Sequence, residues 1–252
     1  MRIVRSILLM VLLTTMPFAG CLEPVEDLEA PGPIESTTYV NMTVSYMTRE
    51  GGNRTGTMLI QLDPVNAPLA TDSFLKHVET GAYIGVTFHR VIDRFMIQGG
   101  DIECGHQNST CRAGLGGYAA DFYGLCDGVP SGERCANATD FTLPNEPHGG
   151  NRTHSEFTVS MANRGPDTGG SQFFILDEGI SASYLDHHDE KDCAYPASCH
   201  TIFGEVVNGT EHVDGISQTA TDNSDRPTHP VTILALEQVP PPQPTQPPLA
   251  TE

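Results

Sequence analysis

The sequence predicts a mainly β fold: a closed eight-stranded antiparallel barrel capped by two helices, with loop insertions pinned by disulfides. Three observations carry this. Eight short segments combine β-branched or aromatic residues with alternating or continuous apolar patterning. Only two stretches carry helical signals, and many short strands with two helices suggest a closed antiparallel barrel with the helices over its ends. The cysteines, finally, fall in close pairs inside long stretches poor in apolar residues.

The strands come in order. Val40, Met42, Val44 and Tyr46 alternate and would share one face of the first strand. Glu50-Gly51-Gly52-Asn53 supplies a turn, and Thr57 to Leu62 forms the second strand, stopped by Asp63-Pro64. Ala67 to Thr80 is the first helix, with Pro68 suited to its first turn, Leu69, Phe74, Leu75 and Val78 as its apolar stripe, and Gly81 after its end. Strands follow at Val86 to Val91, Met96 to Gly100, Phe157 to Met161, Phe173 to Leu176, Thr201 to Val206 and Val231 to Leu236. The second helix covers Thr210 to Gln218. The folded domain is expected over residues 38–239, and no internal repeat is evident.

Outside that domain, residues 1–20 read as a secretory signal: Arg2 and Arg5, an apolar run from Ile7 to Leu13, then Phe18-Ala19-Gly20. The run is broken by Thr14, Thr15 and Pro17, short of the roughly 20 apolar residues of a membrane span. Small residues directly before Cys21 resemble a lipobox, so Cys21 is expected to carry lipid and tether the chain to a membrane. Residues 22–37 are an acidic, proline-bearing linker, and residues 240–252 a proline-rich extended tail. Export fits two further patterns. Asn41, Asn53, Asn108, Asn137, Asn151 and Asn208 each begin an Asn-x-Ser/Thr sequon, expected on exposed turns. Beyond Cys21, six cysteines remain, and their spacing favours local disulfides: Cys104 with Cys111, Cys126 with Cys135, Cys193 with Cys199. Zinc is the rival reading, given His187, His188 and His200, but the Cys-x2-Cys spacing is missing.

The net charge of −19, with lysine only at Lys76 and Lys191, argues against nucleic-acid binding, which needs phosphates neutralised by Lys and Arg. The glycines of Gly114-Leu115-Gly116-Gly117 do not make a phosphate loop, because the Lys-Ser/Thr that completes one is absent.

Phe88-His89-Arg90, Phe95-Met96-Ile97-Gln98-Gly99-Gly100-Asp101, Ser160-Met161-Ala162-Asn163 and Ser171-Gln172-Phe173-Phe174-Ile175 carry the chemistry. They bring one arginine, amide side chains and apolar groups together without a free nucleophile or paired carboxylates. The set resembles the active face of a cyclophilin, a peptidyl-prolyl cis-trans isomerase, and the likeness extends over residues 40–238. The resemblance implies a cyclophilin-like barrel and isomerisation of X-Pro bonds without a cofactor. It implies Arg90 as the catalytic donor and Phe95, Met96, Phe174 and Leu185 as the proline pocket. Gln98 and Gln172 would grip substrate backbone and orient the arginine, Ala162 and Asn163 would pair with the extended peptide, and Gly114 would edge the cleft. The pattern continues through Tyr184-Leu185-Asp186 and His200-Thr201-Ile202-Phe203-Gly204, which gives Tyr184 and His200 places at the cleft, His200 as a wall and not a general base.

Three departures stand out: Tyr184 where many relatives carry tryptophan, an insertion from His187 to Cys199, and the long stretch from Ile102 to Asp140. The expected partners are proline-containing clients in extracytoplasmic proteins, with the chain a monomer. A binding module or chaperone without turnover is the alternative, and a metal-responsive role for His187, His188 and Asp189 a weaker third.

Overall fold

A computed structural model describes residues 37–104, 111–147, 152–187 and 199–243. The expected leader, Cys21, most of the linker, Asn108, Asn151, His188, Asp189, Cys193 and most of the proline-rich tail lie outside the described residues. The described residues form ten strands and two α-helices, in chain order β1 (Thr38–Met47), β2 (Asn53–Leu62), α1 (Pro68–Glu79), β3 (Phe88–Ile92), β4 (Met96–Gly99), β5 (Leu125–Cys126), β6 (Val129–Pro130), β7 (Thr158–Met161), β8 (Phe173–Leu176), β9 (Ile202–Asn208), α2 (Glu211–Ser217) and β10 (Thr232–Val239). Eight strands form one antiparallel sheet in the order β10-β1-β2-β9-β7-β8-β4-β3, and β5 and β6 form a separate hairpin.

The alternation in β1 turns Val40, Met42, Val44 and Tyr46 inward, and all four are buried. Met58, Ile60 and Leu62 of β2 face them. At the centre, the Phe74 ring of α1 packs on Tyr83, Phe173 and Phe203 at centroid distances of 5.1, 5.6 and 5.2 Å. Each such fully buried side chain contributes about 1.5–3 kcal/mol. Asn53, expected in the turn, instead opens β2, paired with Met47.

The expected closed barrel is not what forms. The sheet curls into a half-barrel whose edges are β10 and β3. Among the described residues these edges meet over a short stretch at the start of β3, around the bridge between Thr87 and Thr232. Around it, Phe88 N–H donates to Val231 and Ile233 N–H to Val86. The ladder goes no further because the next outward donor on β3, Val91 N–H, is taken by the carbonyl of Asp225 in the loop before β10, at 2.8 Å.

The insertions carry two of the expected disulfides, Cys104–Cys111 and Cys126–Cys135. Cys199 is also disulfide-bonded. Sequence reading did not expect the β5–β6 hairpin. Its two-residue turn is Asp127-Gly128, both with positive φ (49° and 76°), which matches the right-handed twist of the strands it joins. Among the described residues no group of three His, Cys, Asp or Glu side chains is placed to hold a metal, and no helix is long and apolar enough to cross a membrane.

The N-terminus of α1 lacks a local cap, since Ala67 precedes Pro68 and has no side-chain acceptor. Glu146 supplies it from 77 residues away: its carboxylate accepts Leu69 N–H at 2.9 Å and Ala70 N–H at 2.8 Å. Glu146 N–H in turn donates to the Thr201 hydroxyl, which ties helix, loop and β9 region together. Burial pushes the Glu146 carboxyl up, and the two helix donors pull it part of the way back. Replacing Glu146 by Ala leaves two helix donors without their partner and is expected to cost about 1–3 kcal/mol in urea unfolding at neutral pH.

Candidate active site

Strand register assembles the site. Arg90 of β3 lies opposite Gln98 of β4, and Gln98 opposite Phe174 of β8, so three expected site residues stand in one cross-strand row. Period-two alternation puts Met96 beside Gln98 on the same face. The adjacent Phe173 and Phe174 separate as alternation requires: Phe173 joins the main core, and Phe174 joins a second apolar cluster. That second cluster consists of Met96, Phe174, Leu176, Ala182 and Leu185, with Phe95 and Ala162 packed against it. Three of the four expected proline-pocket residues therefore share one apolar cluster, and the fourth, Phe95, packs against it.

A chain of hydrogen bonds runs beside this apolar patch. Arg90 Nη1 donates to Gln98 Oε1 at 3.5 Å, Gln98 Nε2 to Gln172 Oε1 at 3.1 Å, and Gln172 Nε2 to the Gly116 carbonyl at 2.7 Å. Each amide accepts on one side and donates on the other, so the chain fixes which way both side chains face. On the other flank of Arg90, Asp225 Oδ2 lies 3.7 Å from Nε. A cavity of about 80 Å³ opens along this chain, lined by Gln98, Gly114, Gly116, Ala162, Asn163 and Gln172 among others. Arg164 reaches over it to donate to the Leu115 carbonyl at 3.3 Å.

The glycine edge of this cavity depends on Asp101, which is only 1% exposed. Its carboxylate accepts Gly114 N–H at 2.8 Å, Gly116 N–H at 3.0 Å and Glu103 N–H at 3.2 Å. Gly114 adopts φ +96°, and a Cβ there would stand 2.8 Å from the His89 ring. Only glycine combines that backbone with that clearance.

His200 closes the other end. Its ring meets Phe174 edge-on at 5.2 Å, and its Nδ1 lies 2.9 Å from the Met161 carbonyl. Burial pushes it below the ordinary histidine value, so it is neutral at pH 7. Asn163 donates to the Cys199 carbonyl at 2.8 Å, fastening the segment that carries His200. Tyr184 does not join the others: it is 67% exposed, on the outer side of a 3-10 turn whose Leu185 points inward.

Four contributors to the site are not among the residues expected from the sequence. Arg164 and Asp101 sit within or next to quoted motifs, and the signal for Asp101 was an acid following two glycines and preceding a glycine-rich run. Asp225 lies 135 positions from Arg90 and carries no motif signal. The fourth is His154, whose ring stacks on Phe174 at 6.0 Å and whose Nδ1 lies 2.6 Å from Asp186 Oδ1.

The whole domain has recognisable relatives. Residues 44–238 match the family model for cyclophilin type peptidyl-prolyl cis-trans isomerases. A putative peptidyl-prolyl cis-trans isomerase of Staphylococcus aureus is 34% identical over 197 residues, covering 72% of this chain and 86% of the relative. Peptidyl-prolyl cis-trans isomerase 9 of Schizosaccharomyces pombe is 35% identical over 187 residues, 73% of this chain but 24% of that longer protein. A solved Cryptosporidium parvum cyclophilin type isomerase matches in fold, with TM-score 0.54 and 23% identity over 80% of this chain and 99% of its own. A second structure of that protein, in the presence of the dipeptide Ala-Pro, gives TM-score 0.52 at 24% identity over 77% of this chain and 96% of its own. The chain belongs to the cyclophilin-type peptidyl-prolyl cis-trans isomerases.

Burial holds His154 down to about 4, against the pull of the Asp186 carboxylate. A histidine whose folded pKa lies below its unfolded value stabilises the fold above the unfolded pKa. That contribution is lost as pH falls through the folded one. Urea-unfolding stability is therefore expected to decline from about pH 6.5 to pH 4, by about 3 kcal/mol from this group. His154→Gln should flatten that part of the profile. An unchanged slope would assign the acid sensitivity to other groups.

Proposed function

We propose that this isomerase acts outside the cytoplasm, held at a membrane through Cys21, on X-Pro bonds of exported client proteins, with Arg90 as its catalytic residue. The observation that carries the catalytic part is the row Arg90, Gln98 and Phe174, which sets a permanently charged fork beside an apolar floor. An X-Pro bond turns over a barrier of about 18–20 kcal/mol that reflects amide resonance. The Phe95, Met96, Phe174 and Leu185 surface accepts the proline ring and excludes water. Arg90 donates toward the prolyl nitrogen as the amide twists and its lone pair localises, which stabilises the twisted state more than the planar one. Gln98, Gln172, Ala162, Asn163 and Gly114 hold the flanking backbone. His200, neutral and bonded to Met161, serves as a wall. No proton leaves the substrate and no bond is broken.

Cis-trans exchange of an Ala-Pro peptide, followed by NMR, tests this. Arg90→Ala is expected to slow catalysed exchange by about 10²–10³-fold while leaving the fold intact. Peptide binding without accelerated exchange in the wild type would instead support a binding module.

Three sequon asparagines support an extracytoplasmic setting. Asn41 and Asn208 both lie opposite Leu59 of β2, and Asn53 shares the parity of Leu59 along that strand, so all three project from the outer face of β1, β2 and β9. None of the pocket-lining residues named above begins a sequon. Asn41 lies mid-strand, not on the exposed turn expected. Mass spectrometry of the protein purified from its own membranes is expected to find a lipid mass on Cys21 and hexose-bearing peptides at Asn41, Asn53 or Asn208. Unmodified Cys21 together with bare asparagines would remove the exported, tethered reading.

A further inference from the structure

Arg90 stands on an edge strand, where backbone donors face away from the sheet and the side chain is half exposed. A long, flexible side chain with three methylenes before its guanidinium needs outside help in such a place to keep one direction. The loop between α2 and β10 is built to give it. Asp222 organises that loop: its carboxylate accepts Ser224 N–H at 2.8 Å and Arg226 N–H at 3.0 Å, and its own N–H donates to the Arg226 carbonyl at 2.8 Å. A bridge between Thr221 and Pro227 and a bond from Thr228 N–H to Ala220 close the base. At the tip, Asp225 is held at φ +60°, a left-handed conformation that Asp and Asn adopt more readily than other non-glycine residues. Its carbonyl accepts Val91 N–H, one residue past Arg90, which clips the loop to β3.

From this geometry, and resting on the isomerase reading above, we infer that Asp225 is a positioning residue for Arg90. Its carboxylate lies 3.7 Å from Nε, while Gln98 takes Nη1 from the other flank. The guanidinium is thus held at two separate corners, and its other N–H groups have no partner among the described residues. A fork fixed at two corners can translate little and rotate less, and a catalytic donor misplaced by about 1 Å can lose a hundredfold in rate. Half-exposed ion pairs contribute little to folding. The effect of Asp225 should therefore appear in turnover and not in stability, which separates positioning from a surface bridge.

Asp225→Asn is the chosen variant, because Asn tolerates the left-handed backbone and removes only the charge. In NMR exchange with the Ala-Pro peptide, kcat is expected to fall about fivefold to tenfold, KM to move less than about twofold, and the melting temperature to stay the same. Raising salt from about 0.1 M to 1 M shortens the screening length from about 10 to 3 Å. The wild-type rate should then drop toward that of the variant, whose own rate should be flat. A variant with wild-type kcat, one with the wild-type salt profile, or one that loses rate only in step with stability overturns the assignment of Asp225 alone. A wild-type chain that does not accelerate exchange overturns the isomerase reading, and this inference with it.

Discussion

The site depends on one buried carboxylate. Asp101 takes three backbone donors, two of them from Gly114 and Gly116, and so shapes a glycine segment that has almost no side chains to hold itself in place. The Gly116 carbonyl, fixed in this way, receives the Gln172 amide, Gln172 receives Gln98, and Gln98 receives Arg90. Direction passes along the chain because an amide that accepts on one side must donate on the other. Charge-assisted bonds from backbone N–H groups to a carboxylate are about twice as strong as neutral ones, and burial raises the cost of leaving such a carboxylate unmatched. The loop and the carboxylate hold each other in place, and the cleft edge follows.

The apolar half of the site has a different physical origin. It is a second, smaller core on the outer face of β4 and β8, separate from the one inside the curled sheet. Phe174 joins the two sets of interactions: it stands in the cross-strand row with Gln98, packs with Met96 and Leu185, and lies against His154 and His200. His154 gains little as a charged group there and much as a flat neutral plate, which explains why burial wins over the neighbouring Asp186 carboxylate.

Most of the fold was legible because strand and helix periods are local. Val40, Met42, Val44 and Tyr46 announced β1, and the expected span Ala67 to Thr80 lies within a residue of the observed ends of α1. The register that sets Arg90 beside Gln98 was implied only through the family likeness. Closure was misjudged because whether two edges pair depends on a competitor elsewhere, here the Asp225 carbonyl, and no local pattern reports it. The clip made by Asp225 and the cap made by Glu146 carry no local signal for the same reason: each acts on a partner far away in sequence through a single side chain or carbonyl. The β5–β6 hairpin is a different case, since Asp127-Gly128 was a readable turn signal hidden among loop residues.

Tyr39 pairs with Val239, so the chain enters the sheet on β1 and leaves it on β10 at neighbouring positions, about 4.8 Å apart by strand spacing. Topologically the domain is a closed excursion that returns to its starting point. Such a unit can be grafted into a loop of another protein without prising that loop open, or reconnected end to end and cut elsewhere. Under mechanical load, entry and exit side by side mean that pulling the ends apart would peel two neighbouring strands, β1 and β10, from each other.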